Sequence, residues 1–131
     1  MIRTDFEDED AWKAVCELIR APVHICGDTF YASVDFLENR DLRNLTGEEL
    51  LTRVPEGYVH SFLFVVDTVT LRSPEFPVLV IDLFAERGRT FRAIPSEIAA
   101  IVSNLSIADL SFFEFADEVD EDGVFRGFPG Q

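Results

Sequence analysis

The chain has 131 residues, of which 47% are hydrophobic and 27% charged, and its 25 acids against 11 Lys and Arg give a net charge of −14. That balance belongs to a folded chain near the commonest domain size and excludes an intrinsically disordered one. It also opposes direct binding to nucleic acid or to an anionic membrane surface, because both are polyanions.

Ile2–Thr4 predicts a short strand. Asp5 or Asp8 then caps a helix in which Trp12, Val15, Cys16 and Ile19 recur at i, i+3, i+4 and i+7, the spacing of one buried face. The acids of residues 7–10 fall in its first turn, where the helix dipole favours carboxylates, and Pro22 lies just beyond its end. Phe30–Leu37 alternates, with Phe30, Ala32, Val34 and Phe36 opposite Tyr31, Ser33 and Asp35, which predicts a strand with one buried face. Thr46-Gly47-Glu48-Glu49 reads as a capping box opening a short helix through Leu50, Leu51 and Val54, stopped by Pro55 and Gly57.

His60–Asp67 and Val78–Phe84 are almost continuously apolar, as strands covered on both faces are. Glu86-Arg87-Gly88-Arg89 turns the second run into Thr90–Ile94, predicting a hairpin. Pro95-Ser96-Glu97 starts a helix with Ile98, Ile101, Val102 and Leu105 on one side. Ser111-Phe112-Phe113-Glu114 reads as a second capping box, before a stripe of Phe112, Phe115, Ala116 and Val119. The ending, with Val124, Phe125 and Phe128, is apolar enough to dock on the body of the protein.

This order predicts an α/β (or α+β) chain. Its mixed β-sheet starts parallel, because βαβ order implies right-handed crossovers, carries an antiparallel hairpin and is flanked by about four helices. No repeat, linker or low-complexity stretch interrupts it, so residues 1–131 read as a single globular domain. No apolar run approaches the ~20 residues of a membrane helix. The start, Met1-Ile2-Arg3-Thr4-Asp5, lacks a signal-peptide layout, so the cytoplasm is the expected compartment, with Cys16 and Cys26 reduced.

Twelve of the 25 acids lie in two runs without a base, residues 5–10 and residues 109–122, while the rest of the chain is nearly balanced. Concentrated charge bears on partners and encounter rates rather than on fold. The first run has a structural use at a helix N-terminus. The second, Asp117, Glu118, Asp120, Glu121 and Asp122, would end a helix, where carboxylates oppose the dipole. A cost without structural return points to a function for these five, as the face for a basic protein partner, or merely to solubility.

Other constellations are weaker. Asp5, Asp35, Asp67 and Asp82 stand at or near predicted strand ends, and three such carboxylates converging, Asp5, Asp67 and Asp82, would suit Mg²⁺; the plainer reading is that Asp after a strand caps a helix or starts a turn. Glu118-Val119-Asp120-Glu121-Asp122-Gly123 opens like an EF-hand loop, but Pro129 stands where the bidentate Glu belongs. His24, Cys26 and Asp28 lack the spacing of a zinc site, and His60 beside a strand reads as structural. Arg87, Arg89 and Arg92 on the hairpin would suit a phosphate or carboxylate, or neutralise one of the acidic runs within the molecule. No nucleophile elbow or phosphate loop is present in the sequence, and no cofactor is expected.

Arg3-Thr4-Asp5-Phe6 with Trp12, Ser61–Asp67, Pro77–Leu83, Gly88-Arg89-Thr90-Phe91-Arg92 and the ending Asp120–Phe128 together resemble an uncharacterised family of small acidic bacterial domains, a domain of unknown function. The resemblance spans nearly the whole chain and implies no catalytic residue. The residues themselves predict a non-enzymatic acidic interaction protein, of the immunity or inhibitor type or a DNA mimic. The alternative is a small enzyme or a ligand- or metal-binding domain using the strand-end carboxylates and the arginine hairpin.

Overall fold

The computed structural model describes residues 1–25, 27–32, 34–58, 60–106 and 112–128. In chain order the elements are β1 (Ile2–Arg3), α1 (Glu9–Arg20), β2 (Val23–Ile25), β3 (Asp28–Phe30), α2 (Gly47–Leu51), β4 (Phe62–Val66), α3 (Thr68–Arg72), β5 (Val78–Asp82), β6 (Thr90–Ala93), α4 (Ile98–Ser106), α5 (Phe112–Ala116) and β7 (Val124–Phe125). Single 3-10 turns lie at Arg40–Leu42 and Pro95–Glu97. Among the described residues no helix is long and apolar enough to cross a membrane.

The sheet is mixed, in the order β1-β4-β5-β6-β7. The outer pairs β1–β4 and β6–β7 are parallel, while β4–β5 and β5–β6 are antiparallel. The continuous apolar runs of β4 and β5 are explained by burial on both faces. Phe62, Phe64 and Val66 face a core with Trp12, Val15, Val78, Ile98 and Phe115. Leu63, Val65 and Ile81 face a smaller cluster with Leu42 and Leu50. Burying each such side chain contributes about 1.5–3 kcal/mol.

Local signals act as the sequence predicts. Asp8 caps α1 by accepting the Ala11 N–H at 2.9 Å, and Trp12, Val15, Cys16 and Ile19 form its buried face. Burial raises the Cys16 thiol pKa above its ordinary value. In α2, Thr46 Oγ1 accepts the Glu49 N–H and Glu49 Oε1 accepts the Thr46 N–H, both at 3.2 Å. The tail docks, with Phe125 fully buried beside Phe91, Phe115 and Phe128.

Three expectations are corrected. The predicted strand Phe30–Leu37 is not found: β2 and β3 make a hairpin around Gly27 (φ +85°) that ends at Phe30, and beyond it, among the described residues, only Leu37 bridges to β1. Ala32, Val34 and Phe36 lie partly buried against the core. Alternation reports one-sided burial, and an extended segment resting on a core satisfies it without a ladder. Secondly, α3 was not anticipated, because its run of Thr68, Val69 and Thr70 disfavours helix. Asp67 and Thr70 nevertheless cap it reciprocally. Thirdly, α5 stops at Ala116, short of Val119, and the capping box expected at Ser111 lies outside the described residues, as do Cys26 and Asp109.

Candidate functional site

Strand direction decides which strand-end acids meet. β1 and β4 run parallel, so Asp5 and Asp67 follow them at the same end of the sheet. β5 runs the other way and pairs Asp82 with Phe62, placing Asp82 at the opposite end. The three carboxylates proposed as Mg²⁺ ligands are thus not brought together, and among the described residues no group of three His, Cys, Asp or Glu is placed to hold a metal.

Each carboxylate has local work instead. Asp5 Oδ1 accepts the Glu7 N–H at 2.9 Å, and its Oδ2 accepts the Thr68 hydroxyl at 2.7 Å. Asp82 accepts the N–H groups of Phe84 and Glu86 at 2.9 and 2.8 Å, holding the hairpin loop. Asp67 accepts the Thr70 N–H at 3.1 Å and the Arg92 guanidinium at 3.0 and 2.8 Å. Burial would raise the Asp67 pKa, but the hydrogen bonds from Arg92 and Thr70, with the Arg92 charge, outweigh it and hold the carboxyl below its ordinary value.

The three hairpin arginines diverge rather than form one anion cradle. Arg87 reaches the carbonyls of Leu83 and Leu51, at 3.4 and 3.2 Å. Arg92 is committed to Asp67. Arg89 bridges Glu86 and Asp117, both at 2.9 Å, so this arginine does neutralise part of the second acidic run.

Sequence reading missed two further arginines. Arg126 binds Glu75 at 2.8 Å, Asp120 at 2.7 Å and Asp122 at 2.7 Å. The bonds from Arg126 lower the pKa of Glu75 and of Asp122. Arg3, buried to 1% exposure, lies against the rings of Phe6 and Trp12 and pairs with Glu9 and Glu38 at 2.9 and 3.0 Å.

The expectation that the run 117–122 brings no structural return is therefore overturned for three of its members. Asp117 belongs to Arg89, while Asp120 and Asp122 belong to Arg126. Glu118 and Glu121 are exposed and have no ion pair among the described residues. Even so, three carboxylates on one guanidinium leave an excess of negative charge, held in place rather than free to swing.

Two large aromatics stand in water beside this ordered charge. Phe84, in the hairpin loop, is 82% exposed and Phe113, in α5, is 51% exposed. Phe113 shares a hollow of about 300 Å³ with Asp82, Glu86, Arg89 and Asp117. Arg89 thus ties the hairpin loop to the end of α5.

A larger cavity, about 620 Å³, lies beside β4 and was not expected from the sequence. β1 covers only Val65 and Val66, so among the described strands Phe62–Phe64 pair on one side alone. The cavity occupies this gap, walled by Val34, Leu42, Leu50, Val54, Phe62 and Phe64. Asp35, Asn39, Arg53, Tyr58, His60 and the N-terminal residue Met1 supply its polar groups. Tyr58, His60, Phe62 and Phe64 form a ladder of ring contacts, with centroids 5.5, 5.9 and 5.2 Å apart. Burial pushes the Tyr58 phenol pKa up. The period-two spacing of these four rings was the available signal.

The fold is a mixed α/β sheet with acidic clusters ordered by arginines. The family described as Domain of unknown function (DUF6924) matches residues 1–128, and the chain belongs to it. No curated protein and no solved structure was found to match.

Proposed function

We propose that the protein is a non-enzymatic interaction module that binds a basic protein partner through the face where α5 meets the β5–β6 hairpin loop. The observation that carries this reading is the exposure of Phe84 and Phe113 beside carboxylates fixed by Arg89. Buried aromatic anchors supply most binding energy at interfaces, and surrounding charge steers the encounter. Glu118 and Glu121 provide unneutralised charge, and the Arg126 cluster adds a rigid negative excess. The two phenylalanines favour an inhibitor- or immunity-type contact over DNA mimicry, since a groove built for phosphates offers little apolar surface to a benzyl group.

The test is affinity capture from cell extract at low salt, followed by kinetics with the recovered partner. Phe84→Ala with Phe113→Ala should speed dissociation, and Glu118→Gln with Glu121→Gln should slow association, most at low salt. A recovered partner whose rates are unchanged by both pairs would refute the assignment of this face.

A further inference from the structure

We propose that the cavity beside β4 binds a small amphipathic carboxylate, an apolar body carrying one acid group. The space, about 620 Å³, falls within the ~300–1,000 Å³ typical of small-molecule sites, whereas packing voids seldom exceed a few water molecules. Its walls are aliphatic and aromatic, so an apolar body entering it leaves water without stranding a polar group.

The charged lining groups then set the head group. Arg53 sits just after α2, exposed, with its backbone N–H held by Leu50 O at 3.0 Å. Arg3, Arg89, Arg92 and Arg126 pair with carboxylates, whereas Arg53, like Arg20, Arg40, Arg43, Arg72 and Arg87, forms no ion pair among the described residues; of these, Arg53 is the one in the cavity lining. A guanidinium fork left free at the mouth of an apolar cavity matches a ligand carboxylate in a two-bond geometry. The lining carries two further charged groups, the Asp35 carboxylate and the Met1 ammonium, which donates to the Asp35 carbonyl at 2.6 Å. The two offset one another, so Arg53 is the unbalanced charge and orients the ligand, head towards Arg53. The side chains of Tyr58 and His60 offer further polar contacts along the same wall.

Calorimetry with 4-phenylbutanoate and its neutral analogue 4-phenylbutan-1-ol separates the head-group claim from simple apolar uptake. The acid should bind the wild-type protein at least tenfold more tightly than the alcohol. Arg53→Gln, at an exposed position that leaves the core intact, should abolish that preference. Asp35→Asn should tighten the acid severalfold and leave the alcohol unchanged. Val54→Trp, checked for a native circular dichroism spectrum, should fill the space and remove binding of both. The proposal is overturned if neither compound binds, if acid and alcohol bind alike, or if the preference survives Arg53→Gln. Unchanged acid binding in folded Val54→Trp would place the ligand elsewhere and equally overturn it. None of these residues belongs to the face proposed for the protein partner, so the two readings stand or fall separately.

Discussion

Asp67→Asn isolates the ion pair with Arg92 from the rest of the fold. Asn is as good an N-cap as Asp, so its amide oxygen keeps the Thr70 N–H and the start of α3 is preserved. What is lost is the carboxylate charge and the Arg92 bond to Oδ2 at 2.8 Å, while the 3.0 Å bond to the retained oxygen is no longer charge-assisted; hydrogen bonds to charged groups contribute about 1.5–3 kcal/mol. Arg92 is left without its counter-ion. It keeps Pro77 O at 3.1 Å and its side chain is 21% exposed, so the cost stays below the ~3–5 kcal/mol of a fully buried orphan charge. With water screening part of the pair, the expected loss at neutral pH is about 2 kcal/mol. For a chain of this size that lowers Tm by roughly 6–10 °C. Urea denaturation followed by the fluorescence of the buried Trp12 measures it directly. The pH dependence supplies an independent check. Because the folded-state pKa of Asp67 is depressed, its stabilisation is fully present above the ordinary carboxylate range and is lost as pH falls through the folded value, below about 4. The difference between wild type and Asp67→Asn should therefore close on acidification, other titrating groups being common to both. A loss under ~0.5 kcal/mol at pH 7, or a difference constant down to pH 2.5, would refute the assigned role.

Phe125→Ala should cost about 3–5 kcal/mol, because the ring is fully buried among three others, while Phe128→Ala at a half-buried position should cost clearly less; equal, negligible effects in urea melts would mean the tail is not part of the core. Arg126→Gln releases three carboxylates to repel one another, so Tm should fall at low salt and recover at high salt; a decrease independent of salt would point to lost packing instead.

The candidate site was only partly legible before folding. The hairpin arginines and the second acidic run were visible as residues, and the possibility that one neutralises the other is realised at Arg89 and Asp117. Their separate destinations were not visible. Arg126 meets Glu75 across 51 sequence positions and Arg89 meets Asp117 across 28, so no local spacing encodes either pair. The cavity likewise depends on β1 stopping after two residues of pairing, a property of the sheet edge and not of any motif.

What the sequence determined by itself is what short range can enforce. The stripe Trp12, Val15, Cys16 and Ile19, the Asp8 cap and the Thr46–Glu49 box involve residues within a few positions of one another, where backbone geometry alone fixes which groups meet, and the β5–β6 hairpin joins strands adjacent in the chain through one turn. Tertiary structure decided the rest. Sheet order and strand direction carried Asp82 away from Asp5 and Asp67, laid Ala32, Val34 and Phe36 against the core as cover, and left Phe62–Phe64 beside an open cavity. Charges and apolar surfaces act through space, and which of them become neighbours is set by the register of strands far apart in the chain.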